Sequence, residues 1–195
     1  MKTNTLISGA IFFALLFSCK SNEKEKKDIE LYEPINVTEV INPAERGKYL
    51  VDTNGCHDCH SPKKFTEKGI ELDPDRLLSG HPADEKLAPY DQKTAQAYIL
   101  FTMGLTSATG PWGTSFSANL TPDATGLGSW TEDQFLTCIK KGLYKGLEGS
   151  RPLLPPMPWE HYKNFTDDDL KAVFAYLKTI RPVENLVPAA IPPTM

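Results

Sequence analysis

Five consecutive residues, Cys56-His57-Asp58-Cys59-His60, constrain this 195-residue chain more than any other feature. Two thiols three positions apart fall on one face of a helix, one turn from each other, and the imidazole of His60 follows at once. A closed zinc site built on Cys56, Cys59 and His60 needs a fourth ligand, normally from a second paired motif. No second motif is present, and the isolated His81 and His161 are poor substitutes. A dithiol redox pair would normally follow a strand of a thioredoxin-like fold, and no such strand leads into Gly55.

The spacing C-x-x-C-H is that of c-type haem attachment. Two thiols one turn apart can add to the two vinyl groups on one edge of a haem, and the histidine that follows sits under the iron. Cys56 and Cys59 are therefore the expected covalent anchors of one haem c, and His60 the proximal iron ligand. His57 lies between the cysteines, where the pattern is permissive, and receives no ligand role. A second iron ligand must come from far along the chain. Met103, Met157 and Met195 are the methionines beyond the first residue. Met157 stands in Leu153-Leu154-Pro155-Pro156-Met157-Pro158-Trp159, too rich in proline for a helix. Proline has already fixed that backbone, so a thioether there can meet iron with little entropy to lose. Met157 is the expected distal ligand, with His81 and His161 as alternatives. A thioether raises the reduction potential, and two filled axial positions favour electron transfer over catalysis.

Helices should surround this cluster. Asn42 as N-cap and Pro43 at the first helical position open one that Gly55 ends. Thr131 and Gln134, in capping-box spacing, open a second along Phe135, Leu136, Ile139 and Leu143, in which Cys138 is a small buried hydrophobe. Thr166 caps a third, with Asp167, Asp168 and Asp169 at its positive end and an apolar stripe of Leu170, Val173, Phe174, Leu177 and Ile180. The spacing of Ala95, Tyr98, Ile99 and Met103 suggests a further helix over residues 91–103. No segment alternates well enough to predict a strand, and the proline-bearing tail 183–195 is expected to lie extended against the domain.

The amino terminus reads as an export signal. Lys2 precedes an almost unbroken apolar run over residues 6–17, of signal-peptide length (roughly 7–15 residues) and short of the ~20 needed to span a bilayer. It ends in Leu16-Phe17-Ser18-Cys19, which resembles a bacterial lipobox and makes Cys19 the expected lipidation site. Residues 20–41 begin with Lys20-Ser21-Asn22-Glu23-Lys24-Glu25-Lys26-Lys27 and read as a charged tether with a reach of about 25 Å as a coil. A net charge of −4 argues against nucleic acid as a partner, which wants clustered Lys and Arg.

Residues 42–186 resemble a class I c-type cytochrome. The resemblance rests on Arg46-Gly47-Lys48-Tyr49-Leu50-Val51 before Cys56-His57-Asp58-Cys59-His60, then Pro156-Met157-Pro158, then Ala175-Tyr176-Leu177. It implies a close crossing of the first and last helices, at the matching positions Gly47 and Tyr176. More narrowly, Asn119-Leu120-Thr121-Pro122-Asp123 with Gly126-Leu127-Gly128-Ser129-Trp130-Thr131 resembles cytochrome subunits that accompany bacterial membrane-bound dehydrogenases. Those subunits often carry several haem motifs, and this chain has one.

The expectation is an all-α, cytochrome c-like domain around one covalently bound haem, with a long irregular insertion at 61–111 between the first and later helices. A signal peptide (1–18), a lipid-anchored tether (19–41), the cytochrome domain (42–186) and a proline-rich tail (187–195) complete it. It would be an electron carrier rather than an enzyme, held by lipid in the cell envelope on the non-cytoplasmic side of a membrane. Its partners would be a dehydrogenase or membrane complex on one side and an oxidase or soluble cytochrome on the other.

Overall fold

A computed structural model describes residues 42–193. The expected signal segment, the expected lipidation position Cys19, the expected tether and Met195 lie outside the described residues. Helix α1 (Pro43–Thr53) leads into the five-residue helix α2 (Cys56–His60). Strands β1 (Lys63–Thr66) and β2 (Gly69–Leu72) form a hairpin, and α3 (Gln92–Ala97) follows. Strands β3 (Leu100–Phe101), β4 (Ser107–Gly110) and β5 (Gly113–Phe116) make an antiparallel sheet in that order. Helix α4 (Glu132–Lys141), a 3₁₀ turn (Tyr144–Gly146), α5 (Trp159–Tyr162) and α6 (Asp167–Leu177) complete the fold. Among the described residues, no helix is long and apolar enough to cross a membrane.

The three long helices begin where their capping residues dictate. The Asn42 side chain accepts from the Ala44 N–H, Thr131 and Gln134 close a reciprocal capping box, and Thr166 accepts from the Asp169 N–H. These helices and two loops supply the main apolar cluster: Val51, Leu78, Leu127, Phe135, Ile139, Leu170, Phe174 and Leu177. Phe135 of α4 and Phe174 of α6 pack with ring centroids 5.3 Å apart. Helices α1 and α6 touch so closely at Gly47 that a Cβ there would meet the Ala172 carbonyl oxygen at 1.9 Å and the Tyr176 Cβ at 2.8 Å. The glycine therefore sets how near the two helices approach.

Three sequence expectations are corrected. Residues 91–103 do not form one helix. Asp91 caps α3 through the Thr94 N–H, but Tyr98 is already extended, and Leu100 and Phe101 pair with Thr109 and Ala108 of β4. Tyr98, Ile99 and Met103 are consequently exposed, Met103 at 69%, instead of sharing a buried helix face. Among the described residues five strands also occur where none was expected. Alternation is missing because β1 and β2 are exposed along almost their whole length, whereas every residue of β4 is buried. Period-2 patterning arises only when one sheet face is wet and the other dry. Helix α6 also stops at Leu177, before Ile180.

The insertion is pinned at both ends. After β2 the Asp73 N–H donates to the Pro62 carbonyl at 2.8 Å, and the buried Asp73 carboxylate takes Lys64 Nζ at 2.8 Å and Arg76 Nε at 2.7 Å. Burial works to raise the Asp73 pKa, but bonds from Lys64, Arg76 and the Asp75 N–H outweigh it and bring it down to about 2. Beyond the sheet, the tail residue Ile191 exchanges two backbone hydrogen bonds with Thr114, of 2.8 and 2.9 Å, and covers the free edge of β5.

Gly47→Ala gains about 1 kcal/mol of helix propensity but must overpack the crossing, so a net loss of about 1–3 kcal/mol is expected from denaturant unfolding. Asp73 has a folded pKa below its ordinary 3.8, so its stabilising contribution is complete above that value and fades as pH falls towards 2. Asp73→Asn should lower stability at neutral pH and flatten that acid limb of the unfolding profile.

Candidate functional site

Gly55 adopts a left-handed conformation, φ +72°, which turns the chain out of α1 and directly into α2. Cys56 and Cys59 then stand one helical turn apart, both as free thiols and both partly buried. Burial pushes the Cys56 thiol up to about 11 and raises the Cys59 thiol as well, so both are neutral at physiological pH. His57 faces elsewhere: its Nδ1 lies 2.8 Å from Ser61 Oγ, and its Nε2 is 3.5 Å from Asp52.

His60 is held by one well-defined bond. Its Nδ1 lies 2.8 Å from the Ala118 carbonyl oxygen. A carbonyl can only accept, so the ring proton sits on Nδ1 and Nε2 keeps its lone pair. No hydrogen bond to Nε2 occurs among the described residues. Burial lowers the pKa of His60, which keeps the imidazole neutral. This is the state in which an imidazole binds a metal, and fixing the distal ring nitrogen is how proteins orient such a ligand.

The Ala118 carbonyl is placed by a lattice of backbone bonds. Gly80 N–H donates to the His60 carbonyl at 2.8 Å, His81 N–H to Ser117 at 2.9 Å, and Leu120 N–H to Leu78 at 2.8 Å. Gly80 has φ +79°, and a Cβ there would meet the Ser117 carbonyl oxygen at 2.5 Å and the Ala118 carbonyl carbon at 2.6 Å. Downstream, the Asn119 side chain accepts from the Thr121 N–H and hydroxyl and donates to the Val183 carbonyl at 2.9 Å. Lys178 caps the same loop at the Leu127 and Gly128 carbonyls. The Asn119-Leu120-Thr121-Pro122-Asp123 string is thus a knot between this loop and the end of α6.

Met157 lies half-buried beside the main cluster, against which Cys56, Leu120, Trp130, Leu136 and Tyr162 also pack. Its loop contains a cis Pro155–Pro156 bond and turns through a Met157 N–H to Leu154 contact of 3.3 Å. Gly142, φ +64°, ends α4 with no space for a side chain because the Trp159 ring lies 2.5 Å from where its Cβ would be. The alternative ligands sit differently. His161 is exposed on α5 and Met103 is exposed beyond β3. His81 is fully buried, with Nδ1 2.9 Å from Thr106 Oγ1 and its ring 4.7 Å from that of Phe116. Its Nε2 is buried without a partner. Cys138 is buried.

Sequence reasoning missed several contributors. A backbone carbonyl such as Ala118 carries no side-chain signal at all. Tyr162 donates from its hydroxyl to the Asn54 carbonyl at 2.7 Å, just before the cysteine pair, and burial first, then Cys56 and Cys59, pushes its phenol up to about 12.

The chemistry of the donor set fits a haem: two neutral free thiols on one short helix, an imidazole whose Nδ1 is held by Ala118, and a thioether that packs against the same apolar cluster as Cys56. Among the described residues no group of three or more His, Cys, Asp and Glu side chains is arranged to hold a metal ion.

Comparison with known proteins points the same way. Over 133 residues the chain is 32% identical to the gluconate 2-dehydrogenase cytochrome c subunit of Pantoea cypripedii, covering 68% of this chain and 22% of that protein. It is likewise 32% identical over 143 residues to the cytochrome c subunit of the quinone alcohol dehydrogenase of Gluconacetobacter polyoxogenes, covering 71% of this chain and 24% of that one. The chain is cytochrome c-like. A shorter match, 35% over 86 residues, is to the fructose dehydrogenase cytochrome subunit of Gluconobacter japonicus, covering 43% of this chain and 17% of that protein. The chain therefore spans a quarter or less of the length of these relatives. No protein-family model matches it.

Tyr162→Phe keeps the ring and leaves the Asn54 carbonyl without that donor. Thermal unfolding should show a loss of about 1 kcal/mol, with the far-UV spectrum unchanged.

Proposed function

We propose that this chain is an electron carrier that holds one haem c in a cytochrome c-like helical domain. Cys56 and Cys59 are the thioether anchors, His60 and Met157 the axial iron ligands, and Cys19 the lipid anchor on the non-cytoplasmic side of a membrane. The observation that carries the reading is the His60 Nδ1–Ala118 bond of 2.8 Å beside two neutral free thiols one turn apart. When bound, the haem supplies a one-electron iron couple.

The chain's own residues do the rest. Ala118 fixes the His60 tautomer, and a hydrogen-bonded proximal imidazole is a stronger donor than a free one. The thioether of Met157 works in the opposite direction, raising the potential towards the oxidising end of a respiratory chain. With His60 and Met157 both committed, no axial position is left for a small gas, which supports a carrier and not a catalyst. The similarity to cytochrome c subunits of bacterial dehydrogenases supports a dehydrogenase as electron donor, with an oxidase or a soluble cytochrome as acceptor.

Protein made with c-type maturation machinery should show a sharp reduced c-type spectrum at one haem per chain and should bind carbon monoxide poorly. Met157→Ala should leave the haem attached, lower the reduction potential and admit carbon monoxide to the reduced protein. A variant with unchanged spectrum, potential and gas binding would move the distal ligand to another residue, and a colourless wild type would end the cytochrome reading.

A further inference from the structure

The loop carrying Met157 is poor in the means of holding itself. Pro155, Pro156 and Pro158 have no N–H to donate. Its internal bonds are the 3.3 Å contact from Met157 N–H to Leu154 and a 2.9 Å bond from Trp159 N–H back to the Met157 carbonyl. Among the described residues, the donor that reaches residues 154–157 from outside this loop and α5 is Ser115 of β5. Its Oγ lies 2.6 Å from the Pro155 carbonyl oxygen.

Ser115 is buried, and its hydroxyl has one proton to give. The Ala108 carbonyl is a second acceptor at 3.3 Å, but the much shorter contact takes the proton to Pro155. Trp112 Nε1 approaches Ser115 Oγ at 3.3 Å from behind and can only donate. The direction is therefore set: indole N–H to hydroxyl oxygen, hydroxyl proton to the proline carbonyl. Trp112 is fixed in turn, because its ring covers Gly110 so closely that a Cβ there would meet it at 2.4 Å.

The same stretch of chain reaches the other proposed ligand. Three residues beyond Ser115, about 10 Å along an extended strand, the Ala118 carbonyl takes the proton of His60. Between them Ser117 N–H donates to Thr106 at 2.9 Å, which continues the pairing of β5 with its neighbour. Residues 115–118 thus join the loop of one ligand to the ring of the other through a sheet-backed segment.

We infer that Ser115, oriented by Trp112, is a positioning residue that seats the Met157 loop on the iron from the same strap that orients His60. The inference rests on the His60/Met157 haem reading above. Ser115 does not touch the iron; it acts by keeping the Pro155 carbonyl, two residues before the thioether, in place.

The test compares haem-loaded wild type, Ser115→Ala, Ser115→Thr, Trp112→Phe and Met157→Ala. The readouts are the far-red absorption band of thioether-ligated ferric haem, its loss on raising the pH, and the rate of carbon monoxide binding to reduced protein. In Ser115→Ala the band should weaken and be lost at lower pH, with carbon monoxide binding about tenfold faster, the factor that follows from losing one buried hydrogen bond. Haem content should stay at the wild-type level. Ser115→Thr should restore the band, and Trp112→Phe should give a smaller effect of the same sign, which carries the test if Ser115→Ala does not fold. Wild-type band, pH profile and gas binding in Ser115→Ala, or in Trp112→Phe if that is the variant that folds, would overturn the role of Ser115. If Met157→Ala itself matches wild type, the ligand assignment has failed, and a wild type without haem removes the reading on which both depend.

Discussion

The hydrogen bond from His60 Nδ1 to the Ala118 carbonyl fixes the imidazole that ends the short helix of the cysteine pair against the chain far beyond it. In net free energy such a bond contributes only about 1 kcal/mol, far less than the apolar cluster beneath it. Its importance is geometric. It decides which imidazole nitrogen carries the proton and where the other one points. The backbone lattice of residues 78–81 and 117–120, the left-handed Gly80 and the Asn119 knot to the end of α6 all converge on placing that carbonyl. The segment that is excess length in the sequence is a frame in the fold.

Stability and site placement are divided between two parts of the molecule. The crossing of α1 and α6, closed at Gly47, together with α4 and the loop residues Leu78 and Leu127, supplies the main apolar cluster. Residues 61–131 give that cluster Leu78 and Leu127 and add polar organisation: a buried carboxylate between two cations at Asp73, a buried histidine on Thr106, and the threonine pair Thr109–Thr114 at 2.8 Å across β4 and β5. Loops longer than about 15 residues need either a function or structure of their own, and this one has the structure.

Side-chain chemistry that acts locally was legible in the sequence. Asn42, Thr131 with Gln134, and Thr166 cap the helices they announce, and the packing of Gly47 on Tyr176 lies where the family resemblance implies it. The Cys56, Cys59 and His60 string forms one short helix, so its spacing translates directly into geometry. What escaped was set by tertiary context. The hairpin of β1 and β2 is wet on both faces, β4 is dry on both, and neither can show alternation. Tyr98 and Ile99 fit a helical spacing, but pairing of Leu100 with Thr109 draws the chain into a strand. Ala118 acts through its backbone, and Ser115 is a common residue whose partner lies 40 positions away.

The most direct test of the central claim is mass spectrometry of tryptic peptide 49–63, taken from protein matured in cells with an active c-type haem pathway and extracted with acid–acetone. The account predicts a peptide heavier than its sequence by one haem, with the addition lost when Cys56 and Cys59 are both replaced by serine. A peptide at its bare sequence mass, with both thiols open to alkylation, would contradict it.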